Sequence, residues 1–258
     1  MNSILERFSM NGQVAVVTGA GRGLGRAITL AYAEAGADVV CAARTLEDVE
    51  KVADEVRARG RRALAVSCDV TRDEERQALI QRAAAEMGRL TQLVNNAGGT
   101  GPNHPLKMSP EEFDANLHFN VTSAYSLTQL CVPHLREAGG GSVINITSGA
   151  ARYIQPHFSA YGTAKAALTQ LTRLLAQDFA PDIRINAIAP GPILTQALQN
   201  VVPEKMLAGM AENTPLKRIG SVEDIAAAAL YLASPAAAWV TGKVLEVDGG
   251  AESSVWPG

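Results

Sequence analysis

A tyrosine and a lysine, Tyr161 and Lys165, stand four residues apart in a predicted helix, and Ser148 precedes Tyr161 by thirteen residues. Residues i and i+4 of a helix share a face, so the ammonium would lie beside the phenol and favour its ionised form. Lowering the pKa of a phenol from ~10 by about three units requires roughly 4 kcal/mol. One cation about 4 Å away at an effective dielectric of about 20 supplies that amount. These residues predict a tyrosine acid/base whose pKa is lowered by the lysine.

A second candidate for chemistry is the glycine loop Thr18-Gly19-Ala20-Gly21-Arg22-Gly23-Leu24-Gly25, which follows a predicted strand and opens a predicted helix. Backbone N–H groups at such a helix N-terminus bind a diphosphate, and side chains at Gly19, Gly23 or Gly25 would block its approach. The spacing Gly-x-x-x-Gly-x-Gly differs from the commoner Gly-x-Gly-x-x-Gly. A tight turn alone also explains a run of glycines, so the prediction of a dinucleotide site depends on the strand–loop–helix context.

The elements that would position these residues alternate along the chain. Short apolar runs predict buried strands at 14–17, 39–41, 63–66, 92–94, 143–146, 183–188 and 243–247. Helical patterns lie near 24–36, 46–59, 73–87, 111–138, 160–180 and 222–233. This order predicts an α/β fold: a single Rossmann-type doubly wound parallel sheet of about seven strands with helices on both faces. We expect one dinucleotide-binding catalytic domain over 1–258, with a substrate-loop insertion near 191–216.

Composition excludes several classes of protein. The chain has 258 residues, 47% hydrophobic and 19% charged, and 23 Lys+Arg against 26 Asp+Glu give a net charge of −3. This balance indicates a globular core and no nucleic-acid surface. No apolar stretch reaches 18 residues and the N-terminus lacks a signal pattern, so we expect a cytoplasmic protein with no membrane contact. Cys41, Cys68 and Cys131 predict reduced structural thiols, and no residue spacing suggests a metal site.

Seven motifs then occur in order: Thr18 to Gly25, Cys68-Asp69-Val70, Asn95-Asn96-Ala97-Gly98, Asn120, Ser148, Tyr161-x-x-x-Lys165 and Pro190-Gly191. With these motifs the chain resembles the short-chain dehydrogenase/reductase family along nearly its full length. Within that family, segments 95–102, 189–198 and 234–240 look most like bacterial 7α-hydroxysteroid dehydrogenases. The resemblance implies an NAD(P)-dependent enzyme acting on CH–OH groups.

The resemblance also implies roles for particular residues. Tyr161 would be the acid/base, Lys165 would lower its pKa and hold the nicotinamide ribose, and Ser148 would hydrogen-bond the reacting oxygen. Asn120 would hold a water that links Lys165 to solvent. Hydride transfer to a carbonyl develops an alkoxide, which independently requires a proton donor and a second hydrogen bond.

The cofactor residues implied by the resemblance surround these four. Asp69 would bind the adenine amino group with the Val70 backbone N–H beside it, and Asn96 and Gly98 would stabilise the sheet near the adenosine. The 190–195 turn would close over the carboxamide, with contacts from Pro190, Gly191, Ile193 and Thr195. Local structural roles remain open for several of these residues: Ser148 could cap a strand end, Asn120 could bond helix backbone and Asp69 could be a turn residue.

The end of the second predicted strand bears on the choice of cofactor. An NAD enzyme places an acidic residue about 18–20 residues beyond the glycine loop, where this chain has Ala43. Arg44 follows, and Arg22 lies in the glycine loop, so two guanidinium groups could flank a 2′-phosphate. We predict NADP(H). The alternative is that Arg44 stacks on the adenine and Arg22 faces solvent, which NAD would also permit.

Substrate and assembly are less constrained by the sequence. We expect a small secondary alcohol or ketone, with a hydroxysteroid as the leading candidate. A 3-oxoacyl-thioester reductase is an alternative, with Lys205, Lys217 and Arg218 as docking residues for an acyl carrier, and a catalytically idle scaffold is another. Wide apolar stripes on helices 111–138 and 160–180 predict a homotetramer, unless they are ordinary core stripes. The tail 253–258 could be a subunit contact or a frayed terminus. The loop residues His104 and His157 should border the expected pocket, although solvated loop positions are favoured for both.

Overall fold

Seven short apolar runs form one parallel sheet in the computed structural model, which describes residues 3–255 without the side chains of Ala197 and Val201. The strands are β1 (Val14–Thr18), β2 (Asp38–Ala43), β3 (Ala63–Ser67), β4 (Gln92–Asn95), β5 (Gly141–Ile146), β6 (Ile183–Pro190) and β7 (Val244–Val247). Their order across the sheet is β3-β2-β1-β4-β5-β6-β7. The predicted α/β doubly wound sheet is therefore confirmed.

Helices connect the strands and cover both faces of the sheet. They are α1 (Gly23–Glu34), α2 (Leu46–Arg57), α3 (Asp73–Met87), α4 (Pro110–Leu117), α5 (Ser123–Glu137), α6 (Ser159–Asp178), α7 (Gln196–Val201), α8 (Glu204–Asn213) and α9 (Val222–Ala233). Helix α4 begins at a capping box, in which Ser109 and Glu112 exchange hydrogen bonds between side chain and backbone. None of the helices within the described residues has the length and apolar character needed to cross a bilayer.

The side chains of each strand alternate between two cores. In β1, Ala15 and Val17 pack in the core formed with α1, α2 and α9. Val14 and Val16 pack in the core formed with α3, α5 and α6. Because both faces of the sheet are buried, the strands appear in the sequence as continuous apolar runs.

The strand order reverses between β1 and β4, which are adjacent in the sheet. In open α/β sheets, ligands bind in the crevice outside the carboxyl ends of the strands at this switch point. The ends of β1 and β4 are Thr18 and Asn95, directly before the glycine loop and the Asn96-Ala97-Gly98 segment. Strand order alone therefore brings two of the predicted motifs to one edge.

Two segments differ from the predicted elements. The predicted helix 111–138 is interrupted by a π-helical turn, His118–Thr122, between α4 and α5. Such turns are frequent at functional sites, and the residue buried in this one is Asn120. The expected insertion contains two helices, α7 and α8, which are separated at Pro203 because proline cannot continue a helix.

Candidate active site

The glycine loop turns sharply between β1 and α1 and is held against the end of β4. Gly19 has φ +65°, and a Cβ there would lie 2.7 Å from Nδ2 of Asn96. The Asn96 amide donates to the carbonyl oxygens of Thr18 at 2.8 Å and Gly19 at 3.2 Å. A Cβ at Gly25 would lie 2.2 Å from the Gly19 carbonyl oxygen, so this glycine permits the loop to fold on itself. A glycine is thus required at residue 25 by contact within the loop's own backbone. The expected reason was room for an approaching diphosphate.

The Asp69-Val70-Thr71 segment after β3 forms another wall of the crevice. Asp69 Oδ1 accepts from the Thr71 backbone N–H at 2.9 Å and the Thr71 hydroxyl at 2.7 Å. These bonds, with the charge of Arg44 as a smaller contribution, hold the pKa of Asp69 below its ordinary value despite partial burial. The alternative turn role is therefore present in the structure, while Asp69 and Val70 both line the cavity. Their contacts with an adenine stay a prediction.

The end of β2 presents charged groups of both signs. Arg22 and Arg44 are exposed and line the same cavity as Ala43. Asp48, in the first turn of α2, also lines it, and a Cβ at Gly21 would lie 2.9 Å from the Asp48 Cβ and 3.8 Å from the Ala43 Cβ. Asp48 is therefore a carboxylate near the position where Ala43 replaces the expected acidic residue.

Ser148 and Tyr161 meet at the carboxyl end of β5. Ser148 precedes a 3₁₀ turn, Gly149–Ala151, and its Oγ accepts from the Ala150 backbone N–H at 3.1 Å. The serine side chain also faces the Tyr161 phenol and acts to lower the pKa of that phenol. Ser148 therefore does cap local backbone, as the alternative interpretation held, and its hydroxyl is at the same time directed to the phenol.

Lys165 lies one helical turn after Tyr161 and is 3% exposed. Its Nζ donates to the Ile146 carbonyl oxygen at 2.9 Å and stands 5.7 Å from the centroid of the Tyr161 ring. Gly98 passes close to it, because a Cβ there would lie 3.1 Å from Lys165 Nζ and 2.8 Å from Asn120 Oδ1. A side chain at residue 98 would therefore collide with both predicted site residues.

Asn120 is fixed by hydrogen bonds from two sides. Its Oδ1 accepts from the Gly99 backbone N–H at 2.8 Å, and its Nδ2 donates to the Asn116 carbonyl oxygen at 3.0 Å. Asn120 therefore does hydrogen-bond helix backbone, as the structural alternative predicted. The water-mediated link from Asn120 to Lys165 stays a prediction.

The acid strength of Tyr161 differs from the expectation. Burial raises the pKa of Tyr161 above its ordinary value, and the hydrogen bond from Ser148 opposes this increase. Lys165 directs its ammonium to the Ile146 carbonyl, and burial lowers the pKa of the lysine itself to about 8. In the protein by itself, burial therefore outweighs the expected lowering of the phenol pKa by Lys165, because both groups lose solvent, which the i,i+4 spacing does not report. The role of Lys165 in lowering this pKa stays a prediction.

The turn after β6 is held by its neighbours. The Gly191 N–H donates to the Val247 carbonyl oxygen at 3.0 Å, and Ile193 forms an isolated parallel bridge with Gly220. The Thr195 hydroxyl accepts from the Leu198 backbone N–H at 3.2 Å and so caps α7. The nicotinamide contacts expected of Pro190, Gly191, Ile193 and Thr195 remain predictions.

One cavity of about 710 Å³ joins these groups. The predicted site residues in its lining are Gly19, Arg22, Leu24, Arg44, Asp69, Val70, Asn96, Gly98, Ser148, Tyr161, Lys165, Pro190, Gly191, Ile193 and Thr195. Gly23, Gly25 and Asn120 do not belong to the lining. Within the described residues, no group of three His, Cys, Asp or Glu side chains is placed to hold a metal ion.

Comparison with known proteins decides the family. A family model described as enoyl-(acyl carrier protein) reductase matches residues 19–252. An uncharacterised oxidoreductase of Mycobacterium tuberculosis is 51% identical over 249 residues, which are 96% of this chain and 95% of the relative. The 7α-hydroxysteroid dehydrogenase of Escherichia coli is 41% identical over 246 residues, 95% and 96% of the two chains. The chain belongs to the short-chain dehydrogenase/reductase family.

A solved structure agrees with this assignment. A 7α-hydroxysteroid dehydrogenase complexed with NADH and 7-oxo glycochenodeoxycholic acid superposes with a TM-score of 0.94 at 39% identity, covering 98% of this chain and 99% of the other. This short-chain dehydrogenase/reductase is thus an oxidoreductase that uses a nicotinamide dinucleotide. Its residues fit such a cofactor, because the cavity contains both a glycine-lined loop at the start of α1 and the Ser148–Tyr161–Lys165 group.

One residue that supports the predicted adenine end of the cavity was not predicted from the sequence. Arg76 of α3 is 1% exposed, donates to the Val70 carbonyl oxygen and to Ser126 Oγ at 3.0 Å, and pairs with Asp73. Arg76 thereby fixes the backbone of the predicted adenine segment. The burial of Arg76 could have been predicted, because it occupies the same face of α3 as the buried Ile80, Ala83 and Met87.

The buried ammonium gives this short-chain dehydrogenase/reductase a measurable pH dependence. The pKa of Lys165 is about 8 in the folded protein, against about 10.4 for a lysine in an unfolded chain. The unfolded state therefore binds more protons between these values, and the stability contributed by this group rises with pH through that window. Below pH 8 the full penalty of burial is present, of order 3 kcal/mol.

We therefore expect Lys165→Met to unfold at a higher urea concentration than wild type at pH 7. The gain in the free energy of unfolding is reduced by roughly 1 kcal/mol, because the Ile146 carbonyl loses its hydrogen-bond donor. The difference between the two proteins should shrink when the pH is raised to 10. A variant that is equally destabilised at both pH values would contradict the prediction.

Proposed function

We propose that this protein is an NADP(H)-dependent dehydrogenase/reductase that interconverts a secondary alcohol and a ketone, with hydroxysteroids as its substrate class. The observation that carries the proposal is that Ser148, Tyr161 and Lys165 line the same cavity as the glycine loop. The ketone oxygen would accept hydrogen bonds from both hydroxyls. Two donors at one oxygen stabilise the negative charge that develops there.

Proton transfer follows from the state of the phenol. Burial keeps Tyr161 protonated at neutral pH, so during reduction its hydroxyl is the proton donor to the developing alkoxide. Lys165 uses one N–H on the Ile146 carbonyl and has two further N–H groups for the ribose of the nicotinamide nucleoside. The nicotinamide, when bound, supplies or accepts the hydride. In the oxidation direction, the ionised form of Tyr161 takes the proton that the alcohol loses, so this direction requires the phenol to be deprotonated first.

The distribution of charge in the cavity favours an uncharged, apolar substrate body. Its charged lining residues are Arg22, Arg44, Asp48, Asp69 and Lys165, and the first four lie near the glycine loop and the ends of β2 and β3. The part beyond Ser148 is lined by uncharged residues, including Leu198, Met210 and Val255. A rigid polycyclic hydrocarbon with a hydroxyl or ketone suits such walls. The 41% identity to a 7α-hydroxysteroid dehydrogenase supports the same class.

The pairing of two of the three expected docking residues disfavours the acyl-carrier alternative. Lys217 Nζ pairs with Glu212 at 3.0 Å, and Arg218 makes two bonds to Asp224 at 2.6 and 2.9 Å. These bonds from Arg218 hold the pKa of Asp224 at about 2, so the carboxylate stays ionised and offsets the guanidinium charge. Lys205 remains exposed on α8, and a single lysine is a weak site for an acidic carrier domain.

Substrate screening tests the proposed function. Purified protein is incubated with 7-oxo and 7-hydroxy steroids, sugars, diketones and 3-oxoacyl thioesters, each with NADPH or NADH and their oxidised forms, and absorbance of the reduced nicotinamide is followed. We expect the highest kcat/KM with a steroid. A thioester as the best substrate would favour the second reaction, and no turnover with any pair would favour an idle scaffold.

Cofactor preference is a separate prediction. Charge-assisted hydrogen bonds from Arg44 and Arg22 to a 2′-phosphate contribute about 1.5–3 kcal/mol each, so wild type should show a higher kcat/KM with NADPH than with NADH. Ala43→Asp combined with Arg44→Ala should invert this preference, because the new carboxylate accepts from a 2′-hydroxyl and repels a phosphate. The measured quantity is the ratio of the two kcat/KM values at fixed ionic strength.

The matched control for this change is Arg82→Ala, which removes a half-exposed arginine of α3 outside the cavity lining. Its ratio should equal that of wild type. Wild type that prefers NADH would refute the phosphate-binding role, and Asp48, beside Gly21 and Ala43, would then be the acceptor for the 2′-hydroxyl.

The proposal extends to assembly and location. Tyr125 on α5 is 43% exposed and Leu174 on α6 is 54% exposed, which supports pairing of these helices in a homotetramer. Light scattering after gel filtration measures the mass directly, and a monomer would refute this part. Cys41, Cys68 and Cys131 are buried free thiols, which supports a reducing, cytoplasmic location.

A further inference from the structure

A third apolar cluster lies apart from the two sheet cores and closes the substrate end of the cavity. Its buried members are Val202, Met210, Ala251 and Val255, with Tyr153, Leu198, Met206, Leu207 and Ile219 packed against them. We name this group the roof cluster. Tyr153, Leu198, Met210 and Val255 also line the cavity. The C-terminal segment 249–255 is therefore part of the wall that a substrate body would touch, together with α7 and α8.

Tyr153 connects this segment to the loop that carries Ser148. Its hydroxyl lies 2.6 Å from Asp248 Oδ2 and 2.8 Å from the Ala251 carbonyl oxygen. Its ring covers Gly149, where a Cβ would lie 2.5 Å from Tyr153 Cε2. Tyr153 thus packs its ring on Gly149, the residue directly after Ser148, and bonds the C-terminal segment with its hydroxyl.

Asp248 joins this arrangement to the turn after β6. A Cβ at Gly191 would lie 2.6 Å from the Asp248 Cα, so the two backbones are in direct contact. The second carboxylate oxygen of Asp248 accepts from the Gly250 backbone N–H at 3.0 Å, and the side chain is 9% exposed. Three segments therefore converge on Asp248: the Ser148 loop, the predicted nicotinamide turn and the C-terminal segment.

Arg152 adds a second, more exposed set of bonds to the same segment. Its guanidinium donates to the Ala251 carbonyl oxygen at 2.8 Å, to Glu252 Oε2 at 2.9 Å and to Asp248 Oδ2 at 3.3 Å, the same oxygen that Tyr153 contacts. It also lies 4.9 Å from the centroid of the Tyr153 ring. Exposed ion pairs contribute little individually, so we expect Arg152 to contribute less than the shielded Tyr153–Asp248 bond.

We propose that Tyr153 and Asp248 are positioning residues that hold the C-terminal segment 249–255 as the substrate wall and thereby determine which size of ketone or alcohol the site accepts. The proposal rests on the proposed function. We expect a polycyclic substrate to contact more of the roof cluster than a single-ring ketone bound at Ser148 and Tyr161 does. Loosening the wall should therefore weaken binding of the large substrate and leave the small one unaffected.

The test compares Tyr153→Phe with wild type by two measurements. The first is amide hydrogen exchange of segment 249–255 in the protein without ligands, which reports local opening. We expect exchange there to become faster by about tenfold or more, since the lost bond to a carboxylate corresponds to roughly 1.5–3 kcal/mol. The second is kcat/KM for 7-oxo glycochenodeoxycholic acid and for cyclohexanone. We expect about a tenfold fall for the first through a higher KM, and a change under about twofold for the second.

Two further variants keep the test decisive. Tyr32→Phe removes a buried phenol hydroxyl that bonds the Ala229 carbonyl oxygen at 3.1 Å, far from the cavity, and should change neither measurement. Arg152→Ala alters an exposed residue and should raise exchange in the same segment by a smaller factor. If Tyr153→Phe folds poorly, Arg152→Ala still reports on the wall.

The outcomes separate this proposal from the proposed function. Wild type that reduces neither ketone with either cofactor contradicts the proposed function. Faster exchange in Tyr153→Phe would then still support the role of Tyr153 in holding segment 249–255. Unchanged amide exchange in both Tyr153→Phe and Arg152→Ala overturns the proposal that these side chains hold segment 249–255. Equal losses with the large and the small ketone overturn the role in substrate selection.

Discussion

Tyr161→Phe should lower kcat by a factor of about 10² to 10⁴ while the affinity for the cofactor changes only a few-fold. The substitution removes one hydroxyl and keeps the ring. The phenol is partly buried at the cavity wall, and the hydroxyl of the neighbouring Ser148 is a weaker acid, so we expect it not to replace the phenol as proton donor. Single-turnover kinetics with the best substrate measure the chemical step, and fluorescence of bound reduced nicotinamide measures cofactor affinity.

Tyr231→Phe is the matched control for that experiment. Tyr231 packs against the core formed with α1, α2 and α9, outside the cavity lining, so its variant should keep wild-type turnover. Retention of more than a tenth of wild-type kcat in Tyr161→Phe would rule out Tyr161 as the acid/base.

Ser148→Ala should lower kcat by about 10² to 10³, the cost of losing one hydrogen bond to a developing oxyanion, about 2.7–4 kcal/mol. Ser148→Thr should retain part of the activity, because it keeps the hydroxyl. The serine also caps the Ala150 backbone N–H, so loss of stability has to be separated from loss of chemistry. Losing a cap costs typically about 1 kcal/mol of stability and by itself leaves turnover unchanged.

Ser109→Ala provides that separation. Ser109 caps α4 in a capping box, so its variant should lose comparable stability and keep its turnover. Equal kcat for Ser148→Ala and wild type with the best substrate would make Ser148 a structural residue.

Much of the fold could be predicted because both faces of the sheet are buried. Strands such as Val14–Thr18 then consist mostly of apolar residues, and most breaks between elements contain glycine or proline. The family resemblance implied that Asn96 stabilises the sheet near the adenosine, and the structure shows it hydrogen-bonded to Thr18 and Gly19. Local pattern therefore suffices for the sheet, whereas the location of the site also required the resemblance.

The remaining features depend on contacts that local sequence does not contain. The π-helical turn keeps the apolar pattern of a helix and differs only in its hydrogen bonds, so 111–138 was predicted as one helix. The acidity of Tyr161 depends on burial by distant elements, which the spacing to Lys165 does not report. The bond from Tyr153 to Asp248 joins residues 95 positions apart, and no periodicity signals it.

The separation of the roof cluster from the sheet has a consequence for how such a protein changes over evolutionary time. None of its buried members belongs to either sheet core. Substitutions at residues such as Met210 or Val255 alter the shape of the wall while the packing that holds the seven strands together is preserved. Selection for a new substrate can therefore act on α7, α8 and the C-terminal segment with little loss of foldability, and mutant libraries confined to these segments should contain a high fraction of folded members.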